Sequence, residues 1–203
     1  MAKLPHSFYN GDTVEIARAL LGKYILRRYE GKLLALRITE TEAYVGRMDK
    51  ACHAYGYRKS SRNEVMFGGP GHAYIYLIYG MHCCLNFVTE PEGEPSAVLI
   101  RGGEAVFGAE TMGKLRYGVT PEQFTSYQKK NFLNGPGKLC KALALTREQN
   151  GADLTGDTLW VADDLGELGL KFPEESRVIR TGKRIGIDYA EEAVHFPWRF
   201  YYE

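Results

Sequence analysis

The sequence predicts one α+β domain, residues 1–203, built on a largely antiparallel sheet. Three observations point there. The chain has 203 residues, 44% hydrophobic and 25% charged, an ordinary globular balance that one core can satisfy. Strand-like runs bounded by glycine turns recur from Tyr24 onwards, whereas helical periodicity is confined to short stretches. No internal repeat or low-complexity linker divides the chain.

The elements follow in order. Asp12, with Glu15 three residues on, resembles a capping box. It opens a helix that carries Val14, Ala17 and Leu21 on one face and stops at Gly22. Tyr24–Arg28 and Leu33–Tyr44 read as strands around a turn at Glu30-Gly31. If the second strand stays regular, Leu34, Leu36, Ile38, Glu40, Glu42 and Tyr44 share one face, so aliphatics give way to two carboxylates and a phenol. Gly46–Gly71 is a long polar loop, of a length usually tied to function or disorder. Val65–Thr89 carries no formal charge, but its glycines, His82 and Asn86 break it up, so it reads as buried strands and not as a membrane helix. Its β-rich arms, Ala73–Ile78 and His82–Val88, flank Tyr79-Gly80-Met81, where the chain can reverse. Ala97–Ile100 is a short apolar strand ending at Arg101. A helix around Leu139–Leu145 follows the turn Asn134-Gly135-Pro136-Gly137, and the aromatic tail Phe196–Tyr202 docks on the core.

The formal net charge of +1 predicts no polyanionic partner by itself, but the charges are segregated. Thr111–Arg147 holds seven basic residues against one acid, Glu122, and Arg177, Arg180, Lys183 and Arg184 form a second basic run. Glu148–Glu167 holds six acids and no base. Such segregation can put a positive face on a neutral protein, as phosphate binding requires, or it can be ordinary solvated surface. Four cysteines show no disulfide-scaffold spacing, and the start has no apolar signal core, so a reducing cytoplasm is expected.

Glu42 is the first candidate for chemistry. A carboxylate facing a core is desolvated, and a cation such as Arg101 at the end of another strand would hold it ionised, able to deprotonate a water. The plain alternative is a strand-end salt bridge, and Glu40 has the same parity, so alternation does not choose between them. Tyr44, Tyr74, Tyr76 and Tyr79, with His53 and Phe67, crowd a short span; such faces stack planar or cationic rings, although aromatics also simply suit strands. Tyr79-Gly80-Met81 would expose a bulky apolar tip, one use of which is a wedge that unstacks bases. His53, His72, His82, Cys52, Cys83 and Cys84 make metal the obvious competitor, but no zinc spacing appears. Adjacent Cys83 and Cys84 on a strand point to opposite faces. No Gly-x-Ser-x-Gly or nucleotide-binding glycine motif occurs.

Taken together, several strings resemble the alkyladenine (3-methyladenine, or methylpurine) DNA glycosylase family, in its bacterial form. These are Arg37-Ile-Thr-Glu-Thr-Glu-Ala-Tyr44-Val-Gly, His53, Arg62-Asn63, Met66-Phe67 and Tyr74-Ile-Tyr-Leu-Ile-Tyr-Gly-Met81 with Leu85-Asn86. The match continues through Leu99-Ile-Arg101, Glu110-Thr-Met112, Gly135-Pro-Gly-Lys-Leu-Cys140, Arg184-Ile-Gly186 and Trp198-Arg-Phe-Tyr201. It runs in order from about Ala17 to the C-terminus.

The resemblance implies a curved antiparallel sheet flanked by helices, like the C-terminal domain of methionyl-tRNA formyltransferases. It implies hydrolysis of the bond between an alkylated purine and its sugar, with no cofactor and no metal, on double-stranded DNA, by a monomer without membrane contact. Glu42 would be the general base, and Arg101 and the Ile185 carbonyl would help hold the water. Tyr44, His53 and Tyr76 would sandwich the flipped base, and Asn86 would crowd the amino group of normal guanine. Tyr79 would be the wedge, with Met81 beside it, and Arg62 and Lys138 would contact phosphates. His82 departs from relatives that carry tyrosine, which bears on groove contacts and not on the chemistry. The chain starts almost at the fold, without the N-terminal extension of mammalian relatives. A non-catalytic RNA-binding descendant and a metal-dependent hydrolase are the competing readings.

Overall fold

A 14-residue strand, β2 (Lys32–Val45), organises the molecule because it pairs with three others. The computed structural model describes residues 2–170 and 177–203; segment 171–176, inside the span of the resemblance, and the side chain of Glu167 lie outside the described residues. β1 (Tyr24–Tyr29) returns into β2 through Glu30 and Gly31 at φ 47° and 72°, the double left-handed turn whose twist suits a two-residue hairpin. Beyond β1, the same edge of β2 is taken up by β8 (Arg199–Tyr202), and the other edge pairs with β5 (Ser96–Phe107). With β3 (Ala73–Ile78), β4 (His82–Thr89), β6 (Leu159–Ala162) and β7 (Ile179–Gly182), the order is β3-β4-β5-β2-β1-β6, with β8 beside β2 and β7 beside β8. Every pairing among the described residues is antiparallel, in keeping with the largely antiparallel sheet the sequence led us to expect.

Five short helices accompany the sheet among the described residues: α1 (His6–Tyr9), α2 (Thr13–Ala19), α3 (Ala109–Tyr117), α4 (Ser126–Lys130) and α5 (Pro136–Ala142). Asp12 caps α2 by accepting from the Val14 and Glu15 amides at 2.9 and 3.0 Å, a contribution of about 1 kcal/mol. The helix ends at Ala19, short of Gly22, which instead turns at φ 83° to put its amide on Ile38. α5 begins at Pro136, earlier than its periodicity suggested, because proline's fixed φ suits the first helical position. The tail docks as expected, with Phe200 buried in the core.

One face of the sheet packs on α2 and α5. There Ala17, Leu20, Leu139 and Ala142 meet Leu34, Leu36, Ile38, Ile75, Leu85, Phe87, Val98 and Ile100. The alternate residues Tyr74, Tyr76, Cys84, Asn86, Ala97, Leu99 and Arg101 border a cleft on the other face.

The regular-strand expectation for β2 is overturned. Ile38 and Ala43 lie in the same core cluster although their spacing is odd, and the Thr41 hydroxyl donates to Ala17 of α2. The cause is a pair of opposed bulges. Ile38 and Glu40 face Gly103 and Gly102, leaving Thr39 extra on β2; then Glu40 and Thr41 face Gly102 and Ile100, leaving Arg101 extra on β5. A bulge reverses which parity faces the core. Glu42 and Tyr44 therefore leave the aliphatic face and turn to the cleft side, where Tyr44 lines the cavity. β5 does not end at Arg101, as its apolar pattern implied, but runs on to Phe107 with Arg101 at the bulge.

Candidate active site

The cleft lies between the second sheet face, the loop after β2 and residues 185–189, and encloses about 390 Å³, room for one nucleobase. Glu42 lies directly beneath it. Its side chain is 0% exposed and does not itself line the cavity, but its partners do. The Tyr44 hydroxyl donates to Oε2 at 2.7 Å and the Ile185 amide to Oε1 at 2.8 Å, while Arg101 Nε stands 3.4 Å from Oε1. Burial pushes the Glu42 carboxyl above its usual range, against the opposing pull of Arg101, Tyr44 and the Ile185 amide. The Ile185 amide, a group the resemblance did not name, is the part of that residue that touches the acid.

Glu40 lies on the same side but has a different environment. It accepts from Arg199 Nε at 2.6 Å and from Arg101 Nε at 3.2 Å, so Arg101 bridges the two carboxylates. The two acids thus differ in setting: Glu40 is a partner of two arginines, and Glu42 is the acid sealed at the floor.

The aromatic wall is built from β3 and the loop. His53 and Tyr76 pack edge to face at 4.5 Å, and the Tyr74 hydroxyl meets His53 Nδ1 at 2.9 Å. Burial, reinforced by nearby Arg62, lowers the His53 pKa to about 4, so the ring is neutral at pH 7. Asn63 fixes the loop by donating to the His53 carbonyl at 3.0 Å. Asn86, buried on β4, donates to the Tyr74 and Cys84 carbonyls at 3.0 and 3.3 Å and borders the cavity.

At the rim, Tyr79 and Gly80 take φ 53° and 69°, the same turn type as between β1 and β2. Tyr79 is 84% exposed and Met81 70%. A bulky residue in the left-handed region costs about 1–2 kcal/mol, so an aromatic held there with its ring in solvent needs a reason beyond folding. Gly137, at the start of α5, sits against His82, and Lys138 follows it. Lys138 Nζ donates to Asn131 and Asn134 at 2.8 Å each, and the Arg62 guanidinium lies 5.0 Å from the Tyr76 ring centre.

Three of the four residues of the second basic run are paired with acids, and Lys183 is exposed. Arg177 pairs with Glu104 and Arg180 with Glu203, and Arg184 is wholly buried against Asp49. Cys84 borders the cleft while Cys83 packs on the main core, so the two do face opposite ways. No group of three or more His, Cys, Asp or Glu among the described residues is arranged to hold a metal ion, and no described helix is long and apolar enough to cross a membrane. Sequence reasoning missed Asp49, Ile187 and Tyr189. The first was one acid in a polar loop, and the other two carried no pattern that marks a cleft.

The site thus joins a sealed acid, an aromatic-lined cavity and an exposed hairpin tip at its rim. Comparison with known proteins supplies the family. Residues 7–203 match the family described as methylpurine-DNA glycosylase (MPG). A Bacillus thuringiensis (strain Al Hakam) protein named "Putative 3-methyladenine DNA glycosylase" is 52% identical over 98% of this chain and 95% of its own. A Desulfitobacterium hafniense (strain Y51) protein of the same name is 48% identical over 100% of this chain and 96% of its own. The chain belongs to the methylpurine-DNA glycosylase family, as its motifs led us to expect, and is a DNA-repair hydrolase of the N-glycosidic bond.

Proposed function

We propose that the chain is a monofunctional glycosylase that flips alkylated purines, 3-methyladenine and related lesions, out of duplex DNA and releases them with a water activated by Glu42. The observation that carries this reading is the placement of Glu42, buried beneath a cavity of nucleobase size and held by Arg101, Tyr44 and the Ile185 amide. A carboxylate offers about four lone-pair sites and these three partners take three; because the acid is closed off from solvent, the wall above it must part for a water to reach the fourth. Arg101 pulls the acid towards its ionised form against its burial, which favours acceptance of the water's proton.

The flipped base lies between Tyr44 and the His53–Tyr76 pair. Neutral His53 suits a cationic alkylpurine, because an imidazolium there would repel it. Ring alkylation already weakens the bond to the sugar, so the site has to position water and stabilise an oxocarbenium-like state, with little leaving-group protonation. Asn86, which borders the cavity, crowds the amino group of normal guanine. Tyr79, with Met81, fills the gap left in the duplex and offsets the few kcal/mol that flipping costs. Lys138, beside the hairpin, and Arg62 exchange their internal partners for phosphates. No lysine lines the cavity among the described residues, which supports hydrolysis without an amine-linked lyase step.

A non-catalytic binder has no use for a desolvated carboxylate next to DNA phosphates, and the metal-dependent reading finds no donor set among the described residues. The test is incubation with duplex carrying 3-methyladenine. We expect free base and an intact strand bearing an abasic site. Absence of free base, or an enzyme–DNA adduct trapped by borohydride, contradicts the reading.

A further inference from the structure

We propose that the buried ion pair Asp49–Arg184 is a positioning device that holds the Ile185 amide on Glu42 and fixes Tyr44 in the cleft wall. The proposal rests on the reading of Glu42 as the base. Both side chains are 0% exposed. Arg184 engages Asp49 through two parallel bonds, Nη1–Oδ2 at 2.5 Å and Nη2–Oδ1 at 2.8 Å. The same guanidinium donates to the Ala43 carbonyl at 2.8 Å and the Ala193 carbonyl at 3.2 Å. Asp49 in turn accepts from the Val45 amide at 3.3 Å and the Ala51 amide at 3.0 Å.

These contacts join three separate pieces of chain. They grip β2 on both sides of Tyr44, the loop that leads to His53, and the segment that carries Ile185. The guanidinium also lies 4.7 Å from the Tyr44 ring centre and 5.2 Å from that of Trp198, so it backs the cleft wall directly. A fully buried ion pair is a poor way to gain stability, since desolvation offsets most of the attraction and apolar residues of similar volume often do as well. Its value here is geometric. A planar guanidinium with several fixed donors sets the register of the segments that meet at Glu42, a task for which an ammonium lacks the donors.

The consequence is chemical. The charged and titratable groups facing Glu42 are Arg101 from β5, Glu40 and Tyr44 from its own strand, and Arg184 itself; Arg199 from β8 reaches this group through Glu40. Slackening the clamp withdraws the Ile185 amide, so the carboxylate loses a bond that favours its charged form and titrates higher.

The test compares wild type, Arg184→Lys and Asp49→Asn in single-turnover base release from pH 5 to 9, with duplex binding and thermal melting alongside. For both variants we expect the acid limb to move up by about one pH unit, so that release at a given pH on that limb falls about tenfold, with affinity for damaged duplex within about twofold of wild type. Asp49→Asn keeps the shape of the site and carries the test if Arg184→Lys does not fold. Variants that melt earlier with the acid limb unmoved reduce the pair to a structural role and overturn the proposal. A wild-type chain that releases no base overturns the reading of Glu42 along with it, so the two failures are distinguishable.

Discussion

The floor of the cleft and the tip of the β3–β4 hairpin lie in one site and are built on opposite principles. At the floor, both oxygens of Glu42 are engaged, Arg101 is shared between two acids, and the Arg184–Asp49 pair is shut off from solvent. At the tip, Tyr79 and Met81 stand in solvent on a left-handed turn. On the proposed function, the contrast follows from the tasks. Activating a water needs groups fixed before the substrate arrives, because reorganisation would add to the barrier. Parting a base stack needs apolar surface that finds its partner only in the complex.

This contrast can be broken from either side. The largest effect is expected from Arg101→Leu, which leaves Glu42 buried without its contacting cation. The acid then protonates, and single-turnover release at pH 7 should fall about 10²-fold or more while duplex affinity persists. A rate within about threefold of wild type would mean that Arg101 does not keep the acid ionised. Tyr79→Ser should act in the opposite column. Losing one aromatic contact worth about 1–3 kcal/mol weakens damaged-duplex binding by roughly 5- to 150-fold. Unchanged affinity would leave the tip without a role.

Smaller effects concern stability. His53 titrates near 6.5 when unfolded and at about 4 in the fold, so the unfolded chain binds the extra proton first. Stability is therefore full above about pH 6.5 and is lost as pH falls towards 4; His53→Gln should flatten this dependence in urea unfolding. Glu42 has the reverse sign. Its raised pKa means that the fold penalises the ionised form, so stability declines as pH rises through the folded value. Glu42→Gln should then melt slightly higher than wild type at pH 7, and a clearly lower melting temperature would show that its partners outweigh its burial.

The two regions also differed in how far the sequence disclosed them. The tip was legible because its signal is local: β-rich arms around Tyr79-Gly80-Met81 specify a reversal and put an aromatic on it. The first hairpin at Glu30-Gly31 and the cap at Asp12 were legible for the same reason. The floor was not legible in this way. Alternation along β2 placed Glu42 on the aliphatic face, and only two opposed bulges at Thr39 and Arg101, set by pairing with β5, turn it into the cleft. Glu42 was singled out by a parity that the bulges overturn, and Glu42 and Arg101 by the motifs they belong to. Asp49 was beyond reach, since its partner Arg184 lies 135 positions away and nothing in a polar loop marks an acid as buried.

The central claim is that Glu42 performs the chemistry and leaves binding to the rest of the site. Single-turnover release of base by Glu42→Gln on alkylated duplex, with binding measured on the same preparation, tests it most directly. The account predicts release reduced by about 10²–10⁴-fold at near-normal affinity. Release within tenfold of wild type would show that another group activates the water.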